Sequence, residues 1–366
     1  MQVVLAPFLA LVAALVLTPQ VRRLAFRVGA LDSPDPRKVH QGVMPRLGGL
    51  AVYASFVVAV LVALSAGIKM SPELQEELWG LLAGATLITA VGVLDDVYGL
   101  SAWAKLAGQV AAAVSVLHWG ILVKIVSNPF GPGEMHLGAL AAPMTVVWLV
   151  AVVNAVNLID GLDGLASGTS VIAAVTMAVV ILVVRPNSPT DDFVMVTLAL
   201  TMAAATTGFW KYNFHPARIF LGDSGSMLLG FLLGTMAVMG LAKQATTVSV
   251  MVPMVILGIP LADTVSAVIR RCSRHRSILA PDREHLHHRL LDLGLSHRQA
   301  VLAIYGVDVV LGGSAVLLAV ATQAQALLLV AAMAATGVLT VNKLEPIVQL
   351  LRTNHLAKEV RRSRGA

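Results

Sequence analysis

The 366-residue chain is 57% hydrophobic and only 13% charged, with a mean hydropathy of +0.82, which excludes an ordinary soluble globular domain and points to an integral membrane protein. Its net charge of +6 then belongs to topology and to attraction for anionic lipid rather than to nucleic acid. Cys272 is the only cysteine, so an intrachain disulfide and a Cys-based metal site are excluded.

Apolar stretches of about 17–25 residues, the length an α-helix needs to cross about 30 Å of hydrocarbon, recur along the chain. They predict an all-α polytopic membrane protein with about eleven spans, at 2–19, 47–67, 78–94, 102–118, 142–159, 167–185, 192–210, 224–242, 247–269, 299–320 and 324–342. The opening MQVVLAPF carries no basic residue and Arg22 and Arg23 follow the first span, the reverse of a cleavable signal, so a retained helix with its N-terminus outside is expected. With that orientation, 22 of the 26 Lys and Arg lie on the inner side; only Lys69, Lys124, Arg185 and Lys243 lie outside. Between 119 and 141, ILVKIVS and EMHLGAL flank the turn-rich NPFGPG, which predicts a small outer-surface hairpin. No repeat or separate soluble domain breaks the pattern, so residues 1–342 read as one helical domain and 343–366 as a basic, amphipathic tail on the inner leaflet.

Five polar clusters interrupt this background, and the expected topology places all of them on the cytoplasmic side, as parts of one site built from several helix ends. In HQGVMPRLGG (40–49), Pro45, Arg46, Gly48 and Gly49 stand at the entry of the second span, where paired glycines permit close approach to a ligand or to another helix. In DDVYGLSAWAK (95–105), Asp95 and Asp96 end the third span at the negative pole of its macrodipole. Adjacent carboxylates there need compensation from a divalent cation, from Lys105 or from a proton. The plainer alternative is a pair of solvated stop residues, with Asp96 or Ser101 capping the next helix.

In NAVNLIDGLDG (154–164), Asn154, Asn157, Asp160 and Asp163 recur at every third residue, and Gly161 and Gly164 predict that the helix unwinds before Asp163. Amides and carboxylates turned to a common centre make a hard-oxygen environment that suits magnesium retaining waters and binding phosphate. The alternative has Asp163 capping the sixth helix and the amides satisfying backbone within the bundle. In NFHPARIFLGDSGS (213–226), Asp223 precedes Ser224 at the start of the eighth span. It is either an N-cap or the metal-holding carboxylate of a phosphate site at a helix N-terminus. In PDREHLHHRL (281–290), His285, His287 and His288 lie between Arg283 and Arg289. Zinc would need a fourth ligand and Cys272 has no partner, whereas a diphosphate or lipid phosphate suits these donors. Within the spans, Asp263 is read as inner support for the site and Asp308 as a satisfied bundle residue.

Taken in order over residues 45–294, PRLGG, GVLDDVYGLSAWAK, NAVNLIDGLDGLASG, RIFLGDSGSMLLGF and PDREHLHHRLLDLG resemble the polyprenyl-phosphate N-acetylhexosamine-1-phosphate transferase superfamily, in particular its WecA/TagO-type branch. The resemblance implies a multi-pass protein of the bacterial cytoplasmic membrane. It implies transfer of N-acetylglucosamine-1-phosphate from UDP-N-acetylglucosamine to undecaprenyl phosphate, release of UMP, and initiation of a cell-envelope glycan. It also implies Mg2+, replaceable by Mn2+, on Asn157 and Asp223, with Asp95 and Asp96 beside the attacking lipid phosphate and Asp95 as the base. By the same resemblance Asp163 touches the uracil, Asp160 arranges the site, and Lys105, His285, His287 and His288 contact phosphates. The implied partners are the UDP-sugar, the lipid phosphate and the membrane, with a homodimer compatible and nucleic acid not. The related MraY branch, which takes UDP-N-acetylmuramoyl-pentapeptide, usually carries Lys three residues after its paired Asp, where Gly99 stands here, and an unbroken His run, which Leu286 interrupts here. A rival of another class is an ion-coupled transporter; carriers, however, gather such residues near the midplane in two related halves, and no halves repeat in this sequence.

Overall fold

The computed structural model describes residues 2–32, 42–127, 134–184, 189–241, 251–274, 285–322, 324–333 and 335. Twelve labelled helices run in chain order: α1 (Gln2–Val28), α2 (Gly48–Ser65), α3 (Pro72–Tyr98), α4 (Ala102–Leu117), α5 (Ala141–Ile159), α6 (Leu165–Val184), α7 (Pro189–Asn213), α8 (Asp223–Met236), α9 (Met251–Ile256), α10 (Gly258–Ser273), α11 (Leu286–Asp292) and α12 (His297–Val320). Two antiparallel ribbons join them, β1 (Leu31–Asp32) with β2 (Met44–Pro45) and β3 (Ile125–Ser127) with β4 (Glu134–His136). The hairpin expected in 119–141 is thus present, Ser127 facing Glu134; its NPFGPG turn lies outside the described residues.

Among the described residues, eight helices are long and apolar enough to cross a membrane, α8 because it continues through a π-helical turn to give a span of Gly222–Gly240, so the all-α polytopic class holds. The other three expected spans are shorter. Helix α4 has 16 residues, about 24 Å at 1.5 Å per residue. The stretch 247–269 is cut after Ile256, because Pro260 has no N–H for the Ile256 carbonyl, and the chain restarts as α10. The last span is helical over Ala324–Met333, while all of the rest of it except residue 335, and the 343–366 tail, fall outside the described residues. Outward side chains such as Leu302, Val309, Val310 and Leu317 of α12 are more than half exposed, as a lipid-facing surface requires.

Helix α8 is the centre of the bundle. Every residue from Ser224 to Met236 is buried, against α2, α3 and α5. Small residues make this possible: a Cβ on Gly49 would run into the backbone of Gly225, and one on Gly92 into Ser224. The first turn of α8 therefore nests between α2 and α3 at backbone contact. The segment before it is laced to the entry of α2, Phe220 N–H donating to the Pro45 carbonyl at 2.8 Å and Gly49 N–H to that of Leu221 at 2.8 Å. Ser71 and Pro72 start α3 and Gly99, at φ 68°, ends it; Ser101 then caps α4 by accepting from the Ala104 amide. These stops gather the C-termini of α3 and α5 and the N-termini of α4 and α8 at one end of the bundle.

Candidate active site

Adjacent carboxylates on α3 face different partners. Asp95 accepts the Leu100 amide at 2.6 Å on one oxygen and the Lys105 ammonium at 3.0 Å on the other, which pins the α3–α4 turn. Asp96, 1% exposed, accepts the amides of Asp223 and Ser224 at 2.9 and 3.0 Å, one on each oxygen. Asp96 thus caps the N-terminus of α8 from another helix, 127 residues away in sequence from Asp223, while Ser101 caps the next helix. The compensation that two carboxylates at a negative helix end require comes from Lys105 for one and from the positive pole of α8 for the other.

Helix α5 ends at Ile159, so the unwinding expected before Asp163 is present. Asn154 stays in the bundle, its amide exchanging hydrogen bonds with Gln109. Asn157 donates its amide nitrogen to Asp223 Oδ1 and to Ser226 Oγ, both at 2.8 Å, and Lys105 reaches the same Asp223 oxygen at 3.3 Å. The carbonyl oxygen of Asn157 is then the atom it can offer a cation, beside the Asp223 carboxylate: a hard-oxygen pair that fits magnesium. Asp160 follows as the C-cap of α5; burial, then the Asp223, Asp96 and Asp163 carboxylates, push its carboxyl well above the usual range. Asp163 accepts from His215 Nδ1 at 2.8 Å and from the Ala217 amide at 3.0 Å. The loop itself is clamped at Gly164, φ 82°, whose N–H donates to Asn213 Oδ1 at 3.1 Å and whose carbonyl accepts from Tyr305.

The histidine run divides. His285 and His287, 5% and 3% exposed, sit behind the site. Asp263 of α10 takes His285 Nδ1 at 2.8 Å and the Leu286 amide at 3.0 Å, the inner support expected of it. The His287 ring packs where a Cβ on Gly161 would stand, and burial, then the neighbouring His288 and His285, press its pKa down to about 4. It is therefore a neutral ring at neutral pH. Only His288 of the three reaches the cavity. Asp308 is satisfied on one side alone: Oδ2 accepts from Thr169 at 2.8 Å, and Oδ1 has no hydrogen-bond partner.

A cavity of about 500 Å³ opens at this end of the bundle. All five clusters reach its wall: Arg46 from the first, Asp96 and Lys105 from the second, Asn157, Asp160 and Asp163 from the third, Asp223 from the fourth and His288 from the fifth. Of the residues foreseen from the sequence, Asp95, His285 and His287 stand behind the wall. Several lining residues carried no assigned role. Asn213, His215 and Ser226 lay inside a recognised cluster; Asp32 and His297 gave no signal. Ligand atoms of Asp163, His215 and His297 lie within 4.8 Å of one another, a set softer than the Asp223–Asn157 pair. The two imidazoles are stacked at 4.1 Å with 19° between planes, so their in-plane lone pairs run side by side and converge on one ion only if a ring turns.

The family model for glycosyl transferase family 4 matches residues 78–241. The chain is 41% identical over 321 residues to a probable undecaprenyl-phosphate N-acetylglucosaminyl 1-phosphate transferase of Bacillus subtilis, covering 88% of this chain and 86% of that protein. It is 34% identical over 308 residues to a decaprenyl-phosphate N-acetylglucosaminephosphotransferase of Mycolicibacterium smegmatis, covering 79% and 75%. It is 31% identical over 298 residues to an undecaprenyl-phosphate alpha-N-acetylglucosaminyl 1-phosphate transferase of Salmonella typhimurium, covering 80% and 77%. With similarity of this extent running through the segments that wall the cavity, the chain belongs to glycosyl transferase family 4.

Proposed function

We propose that this chain transfers N-acetylglucosamine-1-phosphate from UDP-N-acetylglucosamine to undecaprenyl phosphate, releasing UMP at the cytoplasmic face of the inner membrane. The observation that carries it is the convergence of five sequence-distant clusters, rich in carboxylates and cations, on one cavity beside the Asp223–Asn157 pair. The names borne by its relatives support the polyprenyl phosphate and the transferred N-acetylglucosamine phosphate, and the UDP donor is our own addition. The distribution of Lys and Arg supports an inward-facing site.

Both substrates carry phosphate charge, so the site must cancel their repulsion while it aligns them. An oxygen of the lipid phosphate forms a bond to the β-phosphorus; the bond to the bridging oxygen breaks and UMP leaves with that electron pair. Magnesium, held by Asp223 and the Asn157 carbonyl, would supply neutralisation of the diphosphate. Lys105, between Asp95 and Asp223, and His288 offer donors to phosphate oxygens. Asp163 offers the carboxylate that meets the uracil, and Asp160 shapes the floor between them. Asp95, the base implied by family resemblance, spends its oxygens on Leu100 and Lys105, which supports holding Lys105 in place ahead of proton transfer. Asp95 and Asp96 are both engaged in this way, which favours direct attack by the lipid phosphate over a covalent aspartyl intermediate; a radiolabelled phospho-enzyme on either would overturn that order of events.

The test is UMP release by purified protein given undecaprenyl phosphate and Mg2+, run over a panel of UDP-sugars that includes the muramoyl-pentapeptide. Release with UDP-N-acetylglucosamine is expected. Failure with every UDP-sugar, together with ion-driven uptake in sealed vesicles, would sink the proposal in favour of a carrier.

A further inference from the structure

One cation on the cavity wall has no part in the scheme above. Arg46 is held by its backbone, its amide donating to the Ala30 carbonyl at 3.1 Å, so the residue keeps its place whatever its side chain does. Its Nε donates to the Asp96 carbonyl at 3.1 Å, at the C-terminal pole of α3, which favours a cation. Its Nη1 stands 3.8 Å from Asp32 Oδ1, beyond hydrogen-bond reach, so Asp32 balances the charge without saturating the donors. The side chain is 30% exposed and lines the cavity together with Lys105 and Asp223.

A guanidinium oriented through Nε, on a residue of the cavity wall and with Nη1 short of a hydrogen bond to Asp32, retains the bidentate donor set that phosphate accepts. We propose that Arg46 is a phosphate-binding residue of this cavity, and that Asp32 is the counter-ion it gives up when a substrate phosphate enters. The inference rests on the phosphotransfer reading above and names one more contact for it. A Lys at this position would keep the charge but lose the fork.

The experiment compares wild type, Arg46→Gln, Arg46→Lys and Asp32→Asn in detergent. It measures titration with UDP in Mg2+, titration with a short-chain polyprenyl phosphate, KM and kcat for both substrates, and Tm. Arg46→Gln is expected to weaken binding of one phosphate ligand and raise its KM by about tenfold or more, the size of a lost charge-assisted contact, with Tm nearly unchanged. Arg46→Lys recovers part of the loss and Asp32→Asn tightens the same ligand. The arm that moves says whether the nucleotide or the lipid phosphate sits on Arg46. Wild-type affinity for both ligands in Arg46→Gln, losses that follow a fall in Tm in both Arg46 variants, or weaker binding in Asp32→Asn would each overturn the inference. If wild type releases no UMP, the phosphotransfer reading fails separately, and the titrations still decide Arg46.

Discussion

Replacing Asp96 with Asn separates a helix cap from a reacting group. Each oxygen of this carboxylate takes one backbone N–H of α8, at 2.9 and 3.0 Å, in a position 1% exposed. Asn keeps one acceptor and turns an NH2 against the other amide, leaving a buried donor without a partner. A hydrogen bond to a charged group is worth about 1.5–3 kcal/mol and an orphaned buried donor costs about 1–3 kcal/mol. Losing the negative charge at the positive end of α8 adds about 0.3–1 kcal/mol. These terms overlap, so the expected loss is roughly 2–4 kcal/mol, a fall in Tm on the order of 5 °C. Thermal unfolding in detergent gives the global value, and hydrogen exchange at residues 223–228 tests whether the first turn of α8 has loosened. Unchanged Tm with unchanged protection of that turn would refute the capping role and return Asp96 to direct chemistry.

Gly161→Ala sets a methyl into the His287 ring and is expected to cost about 1–3 kcal/mol by overpacking; adding His287→Ala should restore most of the Tm, and an absence of such rescue would reject the contact. Asp223→Asn should cut metal-dependent UMP release by on the order of 10²–10³ with the fold intact by Tm, and wild-type turnover would reject the assignment of Asp223 as metal ligand. His287 has a pKa near 4 in the folded chain against 6.5 for the free side chain, so above 6.5 it is neutral in both states and has no effect on stability. As pH falls from 6.5 towards 4 the unfolded chain takes up a proton that the folded chain refuses, and stability drops; His287→Gln should flatten this part of a Tm-against-pH series.

Much of the architecture is legible because it depends on local properties. Apolar run length sets which segments suit hydrocarbon, and glycine, serine and proline mark the ends of α3, the start of α4 and the unwinding after α5. Where local signals conflicted, hydropathy did not foresee the break: the run 247–269 is mostly apolar, yet its helix is interrupted after Ile256, where Pro260 lacks the N–H. The clusters were recognisable as a set, since polar groups in apolar runs need a common polar environment. Their individual duties were not. Asp95 and Asp96 are equivalent in composition, but neighbours on a helix point about 100° apart, so one meets Lys105 and the other meets α8. His285, His287 and His288 look alike in REHLHHR, and only the packing against Asp263 and Gly161 decides that two of them are buried. His297 and Asp32 reach the cavity from segments with no motif at all.

Composition and spacing act over a few residues, so they were enough to read a membrane-embedded helical chain, the five segments that share a polar site, and the hard-oxygen and cationic character of that site. Which atoms meet depends on long-range packing: Asp96 with the amides of α8, Lys105 with Asp95 and Asp223, Arg46 with the end of α3. Those pairings join residues 10 to 128 positions apart, and what selects them is the backbone-to-backbone fit of α8 between α2 and α3, a property of shapes in contact that no stretch of chain possesses alone.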